Sequence, residues 1–330
     1  DGDRVAYDNL VLAAGAITAT FGVPGVERHA FPLKSVTDAV RLRAHLLEQF
    51  ERAEAHPDTT PASALTTVVV GGGPTGVELC GGLSELYRVL AKDHPRLDMS
   101  GARIVLLEAT ERVLGAFHPG SSENARDQLS RRGVEVRLST TVAAVEADRV
   151  CLAGGEDIPC ETLIWTAGVR PSPLGRRLGL PTTRDGRVVV GPDLSVEGHP
   201  EVFVIGDLAA AEDRHGRLYP QLAPVAMQEA RHAVRTIRRR ADGRPVRPFH
   251  YRDKGTMATI GRNAAVAELP GGIRFRGFLA WAAWLGLHLL FLMGFRNRLT
   301  VLLDWSWNYL TYERGPRLIL PVVSDDPAEE

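Results

Sequence analysis

Residues 67–83 read TVVVGGGPTGVELCGGL, and the reading of this stretch decides the fold. A β-branched run, Thr67 to Val70, predicts a buried strand; Gly71, Gly73 and Gly76 follow as G-x-G-x-x-G, and Val77 to Lys92 has helical spacing. In a strand-turn-helix the first glycine permits a tight turn, and the second admits a pyrophosphate against the backbone. The third lets helix and strand pack closely, and the phosphates meet the positive end of the helix. The reading is therefore a nucleotide turn, with Pro74 and Thr75 inside it.

Working outward, Ala102 to Leu107 predicts the next strand of a βαβ unit, with Glu108 at its exit. A carboxylate there accepts hydrogen bonds from a ribose 2′-hydroxyl and repels a 2′-phosphate, which favours NAD over NADP. A helix around Ser122 to Arg132 and strands around Val134 to Leu138 and Thr162 to Ala167 extend a doubly wound sheet, the last exiting at Gly168. Upstream, Tyr7 to Ala14 predicts a strand stopped at Gly15, Thr37 to Ala55 a helix with Leu42, Leu46, Leu47 and Phe50 on one face, and His56 to Ala64 a linker. Downstream, Arg187 to Val190 and Val202 to Ile205 predict strands, the second exiting at Gly206 and Asp207, and Gln221 to Arg240 an arginine-rich helix. Taken alone, Glu78 reads as a favourable first-turn helix residue, and Asp207 as a helix cap or a ligand of a ribityl hydroxyl.

Composition narrows the function. The 330 residues suffice for two domains, or for one inserted in another, and a net charge of -1 offers no field for a nucleic-acid backbone. Cys80, Cys151 and Cys160 form no Cys-x-x-Cys pair, zinc set or disulfide framework; each is expected as a small buried hydrophobe in a reducing compartment. Residues 1–9 show no export pattern, and no arrangement of Ser, His and acid marks a hydrolase. From Phe275 the composition shifts, with four of the five tryptophans between Trp281 and Trp307. Gly277 to Phe295 carries no charge and is flanked by Arg274, Arg276, Arg296 and Arg298. It reads as a helix lying in the membrane surface, with a span over 277–295 or a dimer-buried helix as alternatives.

Together these stretches resemble the type II NADH dehydrogenases, single-chain flavoproteins that pass electrons from NADH through FAD to membrane quinone. The resemblance rests on YDNLVLAAGA, VVVGGGPTGVELCG, LIWTAGV, VFVIGDLAA, DKGTMATIGRNAAVAEL and the tail GFLAWAAWLGLHLLFLMGFRNR. It implies two Rossmann-like FAD- and NAD-binding domains with a C-terminal membrane-attachment tail: 1–62 and 169–248 for FAD, 63–168 for NAD, and 249–330 for the tail. It assigns Gly15, Gly206 and Asp207 to FAD, Ala167 and Gly168 to the border of the NAD site, and Glu78 to the nicotinamide side. Gln228 becomes a quinone contact, because residues 223–228, APVAMQ, match the family's Ala-Gln-x-Ala-x-Gln except that Pro224 replaces the first glutamine. The implied location is the cytoplasmic face of the cell membrane, with a homodimer left open. The family's first glycine fingerprint, which holds the ADP half of FAD, has no counterpart before Tyr7, so weak FAD binding is expected of this stretch alone. Alternatives are a soluble reductase acting on ferredoxin or peroxide, and an inactive NAD-binding fragment.

Overall fold

The structure is a computed structural model and describes residues 4–292 and 294–311. Its contacts group into two units. One runs through Ala19 and resumes from Val169 to Lys254; the other covers Thr20 to Gly168 and continues from Gly255.

The second unit is built on a five-stranded parallel sheet in the order Phe31–Pro32, Thr162–Trp165, Thr66–Val70, Arg103–Leu107, Val134–Arg137. All five residues of Thr66–Val70 are buried, as a central strand covered on both faces requires. The helix Pro74–Asp93 follows, three residues earlier than its apolar pattern indicates, because proline is tolerated at the first helical position, where its missing N–H is not needed. Glu78 therefore lies in the second turn and not the first, which weakens the dipole argument for an acid there. The helix Val36–Ala55 opens with a capping box: the Ser35 hydroxyl accepts from Asp38 N at 3.1 Å, and the Asp38 carboxylate accepts from Ser35 N at 2.7 Å. Its expected face, Leu42, Leu46, Leu47 and Phe50, is buried, and Phe50 meets Tyr87 edge-on at 5.0 Å. Each such side chain contributes about 1.5–3 kcal/mol of transfer free energy.

Two antiparallel meanders carry no clear mark in the sequence. Val142–Val145, Arg149–Leu152 and Asp157–Pro159 form one; Thr256–Gly261, Ala264–Glu268 and Arg274–Arg276 form the other. Their strands are short, and Val142–Val145, Thr256–Gly261 and Ala264–Glu268 carry alanine, a weak strand former, so tertiary packing supplies what propensity does not. In the second meander, Ala265 and Ala267 are buried against Ala280 of the helix Phe278–Phe291. Small side chains there allow a close approach. Gly81 of the nucleotide helix shows the same economy: a Cβ at Gly81 would lie 2.4 Å from Ile260 O. Cys80 and Cys160 are buried as expected, whereas Cys151 is only half-buried, at the third position of Arg149–Leu152.

The uncharged tail run is not one helix, which corrects the alternative of a single span over 277–295. Phe278–Phe291 ends at Leu292, Gly294 takes a φ of 82°, and a second helix runs Phe295–Thr311. Fourteen helical residues reach about 21 Å, against the roughly 30 Å of a hydrocarbon core. Among the described residues, no helix is long and apolar enough to cross a membrane. Phe278, Leu279, Leu290, Phe295, Leu303 and Trp307 of this helix pair are each more than half exposed.

In the first unit, Leu10–Leu12 lies parallel to His199–Val204, which pairs antiparallel with Ser195–Val196. The helix Ala223–Ala241 packs Ala233 into a cluster with Phe203, Ile205 and Phe249. Arg240 anchors its far end, ion-paired to Asp193 and stacked over Phe203.

The contact at Gly81 yields a paired prediction. Gly81→Ala should destabilise the fold by about 1–3 kcal/mol through overpacking, whereas Gly82→Ala, where a Cβ meets nothing within 4 Å, should stabilise it by about 0.5–1 kcal/mol through helix propensity. Urea midpoints of the two variants check this; equal shifts would remove the packing argument.

Candidate functional site

The nucleotide turn is shaped by what a side chain would strike. Gly71 has a φ of 110°, and a Cβ there would lie 2.6 Å from Ala167 Cα; a Cβ on Gly76 would lie 1.9 Å from Gly71 O. At Gly73, which caps the nucleotide helix, a Cβ would meet nothing within 4 Å. The outer glycines thus serve the chain's own packing, and the middle one leaves backbone open beside the helix N-terminus. That is the cradle a dinucleotide pyrophosphate needs. Pro74 and Thr75 form its exposed rim. Gly71, Glu108 and Ala167 follow the carboxyl ends of three adjacent parallel strands, and Gly168 sits beside the ring of Phe21.

Glu108 does structural work here as well. Its Oε2 accepts from Gly72 N at 2.6 Å, and its Oε1 accepts from Thr110 N and the Thr110 hydroxyl, both at 2.8 Å. The carboxylate is therefore fixed at the strand end, oriented beside the turn. Thr166 is a second device the sequence did not single out: its hydroxyl donates to Val70 O at 2.9 Å, tying neighbouring strand ends beneath the turn.

In the other unit, the chain brings Gly15 and Gly206 together. Leu12 is in register with Val204 on the neighbouring parallel strand, Ile205 N donates to Leu12 O, and each chain then reaches a glycine with positive φ, 61° at Gly15 and 72° at Gly206. Open space surrounds the Cβ position of Gly15. Asp207 follows, half-buried in the short 3-10 turn Gly206–Leu208. Two glycine exits and an acid at one end of one sheet fit the ribityl stretch of FAD. Behind them stands a residue that sequence reasoning missed. Glu229, 1% exposed, reaches from the helix Ala223–Ala241 so that its Oε2 accepts from Gly206 N at 2.5 Å. Burial first, then the nearby Asp207, pushes its carboxyl up to about 7 against the opposing hydrogen bond. One acid in an arginine-rich helix carried no signal of this.

Gln228, its neighbour, has its side-chain amide on a backbone peptide: Nε2 donates to Arg252 O and Oε1 accepts from Arg252 N, each at 3.0 Å. Pro224 occupies the first turn of the same helix, a place where proline costs nothing.

Glu78 points its carboxylate at the second meander, accepting from Thr259 N at 3.1 Å. Burial holds its pKa above the usual carboxylate range; the Thr259 bond, His288 and a hydrogen bond from Trp284 pull the other way. Glu78 borders a pocket of about 800 Å³ whose apolar wall includes Trp281, Trp284, Leu289 and Trp305, with Glu85 and Arg262 also at its lining. His288 stacks on Trp284 with ring centroids 3.9 Å apart. Tail tryptophans read as interfacial anchors in the sequence thus also line a cavity.

Comparison with known proteins gives the family and the fold. A family model described as pyridine nucleotide-disulphide oxidoreductase matches residues 1–230, and one described as the NDH2 C-terminal domain matches residues 254–312. The type II NADH:quinone oxidoreductase NdhA of Mycobacterium tuberculosis is 40% identical over 328 residues, covering 95% of this chain and 68% of that protein. An internal alternative NAD(P)H-ubiquinone oxidoreductase of Arabidopsis thaliana mitochondria is 32% identical, covering 93% and 64%. Among solved structures, NDH2 from Plasmodium falciparum in complex with NADH superposes with a TM-score of 0.85 at 18% identity, covering 96% of this chain and 80% of that one. A ferredoxin reductase from Rhodopseudomonas palustris reaches 0.62 at 23% identity, covering 82% and 60%; at such identities both structures speak for the fold alone.

The open space at Gly73 predicts a separation of roles. Gly73→Ala should leave the urea midpoint nearly unchanged, while weakening NADH about tenfold or more, about 1.4 kcal/mol. Calorimetric titration with NADH checks it, and undiminished affinity would remove Gly73 from the pyrophosphate site.

Proposed function

Since the chain belongs to the type II NADH:quinone oxidoreductases, within the wider pyridine nucleotide-disulphide oxidoreductases, we propose that it works through three places: the Gly71–Gly76 turn for NADH, the Gly15 and Gly206–Asp207 exits for FAD, and the tryptophan-lined pocket for an apolar acceptor. The enzyme is a non-proton-pumping flavoprotein NADH dehydrogenase with FAD and NAD(H) as its cofactors. Bound at these exits, FAD would supply the redox chemistry, accepting hydride from NADH and passing electrons on to quinone. The observation that carries the assignment is the cradle at Gly73, open in the middle and closed by chain packing at Gly71 and Gly76.

The chain's residues bind, orient and handle protons. Gly73 offers backbone amides and the helix dipole to the pyrophosphate. Glu108, fixed by Gly72 N and the Thr110 donors, accepts the ribose hydroxyl and disfavours a 2′-phosphate. Ala167 and Gly168, small residues at a strand exit, border the nicotinamide side. Asp207 accepts a ribityl hydroxyl, with Gly15 and Gly206 giving the flavin chain room. Glu78 serves acceptor chemistry: its carboxyl, held above the usual carboxylate range by burial, borders an apolar cavity wide enough for a quinone ring. Gln228 acts through Arg252, whose peptide it clamps, so its part is to position that segment.

Attachment to the cytoplasmic membrane surface is assigned to the tail. The exposed leucines and aromatics of Phe278–Phe291 and Phe295–Thr311 suit partial insertion in the plane of the interface, with Arg296 and Arg298 at the headgroups.

The activity is tested by following NADH loss in FAD-loaded enzyme with a short-chain quinone; absence of quinone-dependent oxidation overturns the assignment. The tail is tested separately. The double variant Leu290→Glu with Phe291→Glu should cosediment with anionic vesicles at least tenfold less than the parent, since it exchanges two large apolar groups for charges. Oxidation of NADH with a soluble acceptor should persist, and unchanged sedimentation would refute the attachment.

A further inference from the structure

We propose that Glu229 is a positioning residue for the flavin, binding a proton as FAD binds and holding the Gly206–Asp207 turn through the Gly206 amide. The inference rests on the assignment of that turn to FAD. Its own ground is the geometry of the helix Ala223–Ala241, which delivers a carboxylate to a backbone N–H one residue before Asp207.

A buried carboxylate is costly unless something requires it. Glu229 is 1% exposed and sits on the helix that packs Ala233 against Phe203, Ile205, Ala211 and Phe249. The charge that acts on it from the packed elements is Asp207, at the turn itself. On its own helix, burial lowers the pKa of His232, which disfavours a charge on that ring, and Arg240 is committed to Asp193. Glu229 therefore titrates under the influence of one neighbour, with its carboxyl pushed up to about 7.

The direction of the linkage follows. A flavin seated on the Gly206–Asp207 turn would exclude water from it, and that penalises an ionised Glu229. The holoenzyme then holds the proton more tightly than the flavin-free protein, and FAD binding weakens as pH rises through the window around 7. Folding obeys a parallel rule: because the folded pKa is raised, the stability contributed by Glu229 is full below about 4.5 and is lost as pH rises through about 7.

Two measurements on the holoenzyme and its flavin-free form test this. FAD dissociation, read from recovered free-flavin fluorescence, should weaken about tenfold between about pH 6 and about pH 8.5, one pKa unit of difference between the two forms. In Glu229→Gln, which keeps shape and an acceptor oxygen, the step should vanish, while the urea midpoint of the flavin-free variant should gain on that of the parent as pH rises from about 4.5 to about 7 and hold a constant lead above it. Glu229→Asp should restore a pH step. A Gln variant that keeps the parental step, or that weakens FAD equally at every pH, overturns the proposal in favour of a structural acid. Failure of the underlying assignment looks different: Asp207→Asn would then leave FAD affinity untouched, while the pH-dependent difference in urea midpoint at Glu229 would persist.

Discussion

The nucleotide helix Pro74–Asp93 is held at contacts where only hydrogen fits. A side chain at Gly76 would strike Gly71 O, and one at Gly81 would strike Ile260 O. These two approaches fix the helix against the turn it follows and against the C-terminal meander, so the direction of its N-terminus is set by hard-core packing, which varies steeply with distance. The open cradle at Gly73, the placement of Glu78 on Thr259 N and the shape of the tryptophan-lined pocket all follow from that seating.

Carboxylates on backbone amides complete what the glycines begin. Glu108 holds Gly72, Glu229 holds Gly206, Glu78 holds Thr259, Glu85 holds Arg262 and Glu268 holds His118. Glycine-rich turns lack side chains to fix them and lose much entropy on ordering. A hydrogen bond to the amide offsets that loss and fixes the turn before a ligand arrives. Glu108 and Glu229 do this at the two nucleotide turns, one half-buried and one fully buried. Depth decides the chemistry: the fully buried acid acquires a pKa near neutrality, and its hydrogen bond becomes sensitive to pH.

The tail combines two roles in one composition. Tryptophans that would serve as interfacial anchors also build a cavity wall, because the break at Leu292 and Gly294 turns the run into two helices that contact each other. Exposed leucines and phenylalanines on the same helices are left for lipid.

Much was legible in the sequence. The β-branched run before Gly71, the glycine spacing, the face of Leu42 to Phe50 and the exits at Gly15 and Gly206 were all readable, because local periodicity and turn chemistry dictate them. The family, and with it FAD and NAD, was legible from the same motifs. The antiparallel meanders, the break in the tail helix, the hold of Gln228 on Arg252 and the burial of Glu229 were not. Each depends on what lies opposite in space: a strand of Ala265 and Ala267 forms because Ala280 packs on it, and an acid titrates near neutrality because a core closes around it. Local sequence specifies backbone preference and residue chemistry; tertiary packing alone fixes the dielectric surroundings and the partner of each polar group.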